Sequence, residues 1–165
     1  MILMSLDIST KSTGVAFFDT DTKELLHYEC VAASSPNVYN RIEKITNRIE
    51  ELVKEYKPEM CISEEPEPAF VKNNIDVYRK LTFIHGAICL MLNHYKLTME
   101  LITSSAWRKK VGIKTGRGIT RSVLKQEDIK KTKELFNLDV NDDIADAILM
   151  GYGKALETKK ELNWE

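Results

Sequence analysis

The chain has 165 residues, 43% of them hydrophobic and 30% charged, with a net charge of −1; this length suits a single domain over residues 1–165, and the composition excludes wholesale disorder and fibrous architecture. No apolar stretch approaches the roughly 20 residues that span a bilayer, and the opening MILMSLDIST lacks the basic segment and cleavage site of a signal peptide, so a membrane role is excluded and a cytoplasmic location is expected. Cys30, Cys61 and Cys89 are scattered among apolar residues without CxxC spacing, which predicts small packed hydrophobes rather than zinc ligands, disulfides or a nucleophile.

Residues 2–7 form an apolar run ending in Asp7, and residues 14–18 form another after the polar turn Thr10-Lys11-Ser12-Thr13, which predicts a hairpin. A third strand over 25–32 alternates Leu26, Tyr28 and Cys30 with His27, Glu29 and Val31, and stops at Ser34-Ser35-Pro36-Asn37. From Val38 the period becomes helical, with Ile42, Ile45, Ile49, Leu52, Val53 and Tyr56 at spacings of three and four, until Pro58 ends the run. Residues 60–63 read as a short buried strand running into Glu64, Glu65 and Pro66. A second helix over 75–95 turns Val77, Leu81, Ile84, Ile88, Met91 and Leu92 inward, and residues 98–102 form a fifth strand. Ser104, Ser105 and Ala106 open a short helix through Lys110, residues 112–118 form a flexible loop with three glycines, and two helices over 121–136 and 141–156 complete the chain. The order β-β-β-α-β-α-β followed by helices predicts an α/β fold, with a five-stranded mixed sheet flanked by helices.

The charge is unevenly spread. Residues 103–133 hold ten Lys or Arg against two acids, a local +8 that leaves −9 elsewhere. Such a segment is the footprint of a surface that meets phosphates, although a solvated helix face has the same composition.

Four acids lie where a fold usually avoids charge. Asp7 and Glu64 each end an apolar strand, and the carboxyl ends of strands line the functional crevice of α/β sheets. In Asn141-Asp142-Asp143-Ile144-Ala145-Asp146-Ala147, Asp143 and Asp146 project from one helix face. Complementing the helix dipole explains Asp142 well, Asp143 partly and Asp146 poorly. Converging carboxylates without a histidine or thiolate cluster favour Mg²⁺ or Mn²⁺ over zinc, and suit phosphodiester hydrolysis by a metal-activated water. Because side chains alternate along a strand, only one of Glu64 and Glu65 shares the cleft with Asp7, and Glu64 is the expected one.

These motifs resemble a family. Leu6-Asp7-Ile8-Ser9-Thr10-Lys11-Ser12-Thr13-Gly14 is similar to the first motif of the RuvC Holliday junction resolvases, Ile62-Ser63-Glu64-Glu65 to the second, and Asp143-Ile144-Ala145-Asp146-Ala147 to the third, in matching order over nearly the whole chain. Ser9 stands where many relatives carry glycine. The resemblance implies an RNase H-like fold and a homodimeric, Mg²⁺-dependent nuclease that nicks four-way DNA junctions, with Mn²⁺ able to substitute and Asp7, Glu64, Asp143 and Asp146 as metal ligands. It also implies a lysine near the scissile phosphate, Lys109 or Lys110 here, and an aromatic at the crossover, for which Phe70 is the candidate. Lys11, Arg108, Lys109, Lys110, Lys114, Arg117 and Arg121 are the expected DNA contacts. The run Trp107-Arg108-Lys109-Lys110 is similar to that of phage-borne relatives, which implies the cytoplasm of a bacterial host.

Three other readings compete. The Asp7 to Gly14 turn also resembles the first phosphate loop of actin-like ATPases, but those need two such domains and this chain has room for one. A nuclease of the same fold acting on RNA:DNA hybrids, flaps or forks, and a junction binder without catalysis, share most of the pattern. Four intact acids disfavour the binder, since negative charge facing phosphate gains it nothing.

Overall fold

A computed structural model describes residues 1–67 and 74–157. Its elements follow in the order β1 (Ile2–Asp7), β2 (Ser12–Asp19), β3 (Leu25–Ala32), α1 (Val38–Tyr56), β4 (Met60–Glu64), α2 (Ile75–His94), β5 (Met99–Ile102), α3 (Ser104–Lys110), α4 (Arg121–Phe136) and α5 (Asp142–Glu157). The strands form one mixed sheet in the order β3-β2-β1-β4-β5. β1 to β3 pair antiparallel, whereas β4 and β5 join parallel to β1 after helical crossovers. The sheet is therefore the predicted five-stranded mixed one.

Strand alternation divides the interior into two layers. From β1 and β2, Met4, Leu6, Val15 and Phe17 pack with α1 and α2 through Ile45, Ile49, Leu52, Ile84 and Ile88. Leu3, Ala16 and Phe18 pack on the opposite face with Trp107 of α3 and Ala147, Ile148 and Met150 of α5. Asp7 is in step with Leu3 and Ser5, so its side chain belongs to the α5 face. Asn37 caps α1 by accepting the Tyr39 N–H at 2.8 Å, and Lys57, left-handed at φ 48°, closes it before Pro58.

Contact between α5 and the sheet is unusually close and depends on missing side chains. Ser5 Oγ donates to the Ala147 carbonyl at 2.6 Å. A Cβ at Gly151 would lie 2.5 Å from Ser5 Oγ, and one at Gly14 would lie 1.9 Å from the Asp143 carbonyl oxygen. Glycine at position 14 is therefore what allows the acidic first turn of α5 to rest on β2. Gly14→Ala should cost more than about 3 kcal/mol, the upper range for overpacking, read as a lowered denaturation midpoint.

Two expectations for α2 need correction. Val77 is exposed, because the first turn of α2, with Ile75, stands clear of the α1 and sheet contacts made by Ile84, Ile88, Met91 and Leu92. Cys89 is also exposed, one residue round from the inward Ile88, whereas Cys61 is buried and Cys30 half-buried. No helix of the described residues is long and apolar enough to cross a membrane.

Candidate active site

Parallel pairing of β1 with β4 matches Leu6 to Ser63, so Asp7 and Glu64 end adjacent strands side by side. Glu64 is in step with Ile62, which packs in the α5 layer, and shares that face with Asp7. The Asn141 side chain accepts the Ile144 N–H at 2.9 Å and starts α5 over the same strand ends, with Asp143 and Asp146 in its first two turns. All four predicted acids therefore meet at one end of the sheet.

Three of the four acids are held by a neighbour. Trp107 Nε1 donates to Glu64 Oε2 at 2.8 Å, and Ser12 Oγ donates to Asp143 Oδ2. Asp146 Oδ2 lies 3.5 Å from Arg108 Nη2, while its Oδ1 is buried with no hydrogen-bond partner. Among the described residues, no three His, Cys, Asp or Glu side chains stand close enough together to enclose an ion as they are. These separate tethers and mutual repulsion account for that spacing.

Burial pushes the Asp7 carboxyl up to about 7, with Glu64 and Asp143 adding to the rise and Lys125 and Arg121 opposing it. Burial likewise raises Asp146 to about 9, reinforced by the charges of Asp7 and Asp128. Glu64 also rises through burial, against the Trp107 hydrogen bond and the Arg108 charge. Carboxyls kept from water beside other carboxylates, one with an orphaned oxygen, gain most from a positive ion. An all-oxygen donor set fits a hard divalent cation.

The basic residues are placed differently from expectation. Arg108, predicted to meet DNA, is buried. Its guanidinium grips Asp128 through Nε at 3.1 Å and Nη2 at 2.7 Å, because α3 turns Trp107 and Arg108 inward together. Arg108 rather than Lys109 is thus the α3 cation beside the acids. Lys109 is exposed and lines an open concavity with Ala106, Ile113 and Lys114. Lys110 pairs with Glu157 at 2.9 Å. Lys11, Lys114, Arg117 and Arg121 are exposed, and Phe70 lies outside the described residues. Asp142 pairs with Lys125, in addition to facing the α5 N-terminus.

Ser12, Trp107, Lys125 and Asp128 were not foreseen as part of the site. A signal existed for two of them: Arg121, Lys125, Asp128 and Thr132 recur at helical spacing. Of this stripe, α4 buries Asp128 and Thr132 and half-buries Lys125, while Arg121, Val123 and Leu135 stay exposed.

Glu65 is exposed and its N–H donates to the Ile102 carbonyl at 2.9 Å, extending the β4–β5 ladder. On the metal-dependent nuclease reading that the sequence resemblance implies, Glu64→Gln should therefore remove cleavage, with Glu65→Gln only weakening it. Equal losses measured in parallel assays would discard this assignment.

The family described as Crossover junction endodeoxyribonuclease RuvC matches residues 3–151. A protein of that name from Rickettsia akari is 30% identical over 155 residues, covering 92% of this chain and 95% of its own length. One from Rickettsia felis is 28% identical over 155 residues, with 92% and 96% covered. Thermus thermophilus RuvC, solved in complex with a Holliday junction substrate, superposes with a TM-score of 0.77 at 17% identity over 97% of this chain and 96% of that one. The yeast mitochondrial Holliday junction resolvase Ydc2 gives 0.62 at 9% identity over 96% and 81%. The fold is the RNase H-like one, and the chain belongs to the RuvC family of crossover junction endodeoxyribonucleases.

Proposed function

We propose that this chain cuts four-way DNA junctions by divalent-cation-dependent phosphodiester hydrolysis, with Asp7, Glu64, Asp143 and Asp146 as the cation's ligands. The observation that carries this reading is the buried, unpartnered Oδ1 of Asp146 beside the raised carboxyl of Asp7. Oxygen-only donors favour Mg²⁺, with Mn²⁺ a working substitute. Bound there, the cation would stabilise charge on the attacking and leaving oxygens of the phosphodiester.

The chain's own groups orient and receive. Ser12 and Trp107 fix the carboxylates of Asp143 and Glu64. Lys125 and Arg121 bring positive charge to the Asp7 side, where a phosphate would enter. Lys109 near the end of α3, with Lys11, Lys114 and Arg117 on turns and loops, is exposed, and the four would track the junction arms. Each phosphate contact should contribute about −0.9 to the slope of log affinity against log salt. Neutralising Lys114, Arg117 and Arg121 together is expected to flatten that slope, and an unchanged slope would move the DNA surface elsewhere.

Symmetric nicking calls for two sites related by a two-fold axis, hence a homodimer. The exposed apolar face of α2, with Ile75, Phe83 and Leu90, is its proposed interface. Sedimentation that shows only monomer at micromolar concentration overturns the dimer.

The direct test is a gel assay on synthetic four-way junctions, forks, duplex and RNA:DNA hybrid, with and without Mg²⁺. Paired nicks on junctions alone are the expected result. Cleavage confined to hybrids or forks would reassign the substrate.

A further inference from the structure

Two consecutive residues of α3 reach two different acids of the site. Trp107 is fully buried, and an indole N–H in that position needs an acceptor, which is the Glu64 carboxylate at 2.8 Å. Arg108 lays its guanidinium over the Trp107 ring, 4.1 Å from the centroid, and turns Nη2 toward Asp146 at 3.5 Å. Asp128, reaching in from α4, takes both Nε and Nη2 of Arg108, and Thr132 Oγ1 ties back to the Asp128 carbonyl at 2.9 Å. The chain of contacts runs from Glu64 on β4 through Trp107 and Arg108 to Asp146 on α5, with Asp128 as its anchor.

A buried ion pair seldom adds net stability, because desolvating both partners offsets most of their attraction. Arg108 and Asp128 are nevertheless both buried here, beside the acids rather than elsewhere in the core. We infer that Trp107, Arg108 and Asp128 form a positioning clamp that fixes the orientation of the Glu64 and Asp146 carboxylates, from which the two acids close on a divalent cation. This rests on the metal-dependent reading above. None of the three touches the reacting atoms. Their effect passes through the two acids, as hydrogen-bond partners of metal ligands generally act.

The indole of Trp107 makes the clamp observable without catalysis. In ¹H–¹⁵N spectra of the DNA-free protein, the Trp107 indole signal, separated from that of Trp164 with a Trp164→Phe variant, should move as Mg²⁺ is titrated. Trp107→Phe keeps an aromatic ring and loses the donor, and Asp128→Asn keeps the shape and loses the anchoring charge. Each should raise the Mg²⁺ concentration for half-maximal cleavage by about tenfold or more, with junction affinity in Ca²⁺ changed less than about twofold. If Trp107→Phe fails to fold, Asp128→Asn and the wild-type indole signal still decide.

An indole signal unmoved at Mg²⁺ concentrations that saturate cleavage overturns the clamp, as does wild-type Mg²⁺ dependence in Asp128→Asn. An indole response in a protein that cuts no branched DNA retains the clamp and overturns the junction reading instead.

Discussion

Asp146→Asn should abolish cleavage and at the same time raise the melting temperature of the metal-free protein at pH 8. Burial and the charges of Asp7 and Asp128 push the Asp146 carboxyl up to about 9, so ionising it inside the fold is unfavourable. Folding must therefore protonate it at pH 8, and asparagine keeps the shape while needing no proton. Its cost falls on activity: loss of a proposed metal ligand should lower the cleavage rate by at least about 1,000-fold, roughly 4 kcal/mol of barrier. Junction binding should persist, since the phosphate contacts proposed above fall to exposed basic residues and not to the acids. Asp7→Asn should behave in the same way, its carboxyl being raised to about 7 by burial and by Glu64 and Asp143. The measurements are single-turnover cleavage, junction affinity in Ca²⁺, and calorimetry with chelator present. A variant that cuts at near wild-type rate in Mg²⁺ would remove that residue from the site.

Stability of the metal-free protein should fall as pH rises from 5 to 8, and a divalent cation should reverse the fall. In the unfolded chain an aspartate titrates near 3.8, whereas folding moves Asp7 to about 7 and Asp146 to about 9. Between those values the folded state binds more protons than the unfolded state. Unfolding free energy therefore decreases with increasing pH across this window, the reverse of what a salt-bridged carboxylate produces. A bound cation supplies positive charge to the ionised pair, and saturation at 100 times its dissociation constant stabilises by about 2.7 kcal/mol. The expected readout is a Mg²⁺-induced rise in melting temperature of several degrees at pH 8, shrinking toward zero at pH 5, where protons compete for the same oxygens. A cation effect equal at both pH values would place binding away from Asp7 and Asp146.

Local pattern alone carried the architecture. The apolar run of residues 2–7, the alternation in 25–32, the three-and-four spacing from Val38 to Tyr56, and the breaks at Pro36 and Pro58 define elements whose bounds recur in the structure within one or two residues. The same strand alternation set Glu64 apart from Glu65, and a charge ending an apolar strand marked Asp7. These inferences succeed because they depend on period and on the high cost of burying a carboxylate, both of which act within a few residues of chain.

Rotation of the later helices was decided only by tertiary packing. Arg108, Lys109 and Lys110 are chemically alike in sequence, and a helix of seven residues has too little periodicity to choose among them. Packing of Trp107 into the α5 layer turns Arg108 toward Asp128 and Asp146 and leaves Lys109 in solvent. In α4, the inward face mixes the polar Asp128 and Thr132 with Leu124 and Phe136, which pack in the α5 layer, so it does not read as an apolar stripe. Asp128 therefore reads in sequence as one acid in a basic run, although it is fully buried. Gly14 shows the same limit. Its place in a turn motif is legible, but the reason for glycine is the Asp143 carbonyl resting on it from 129 residues along the chain. Contacts of that kind depend on which elements come together, and that is a property of the folded chain alone.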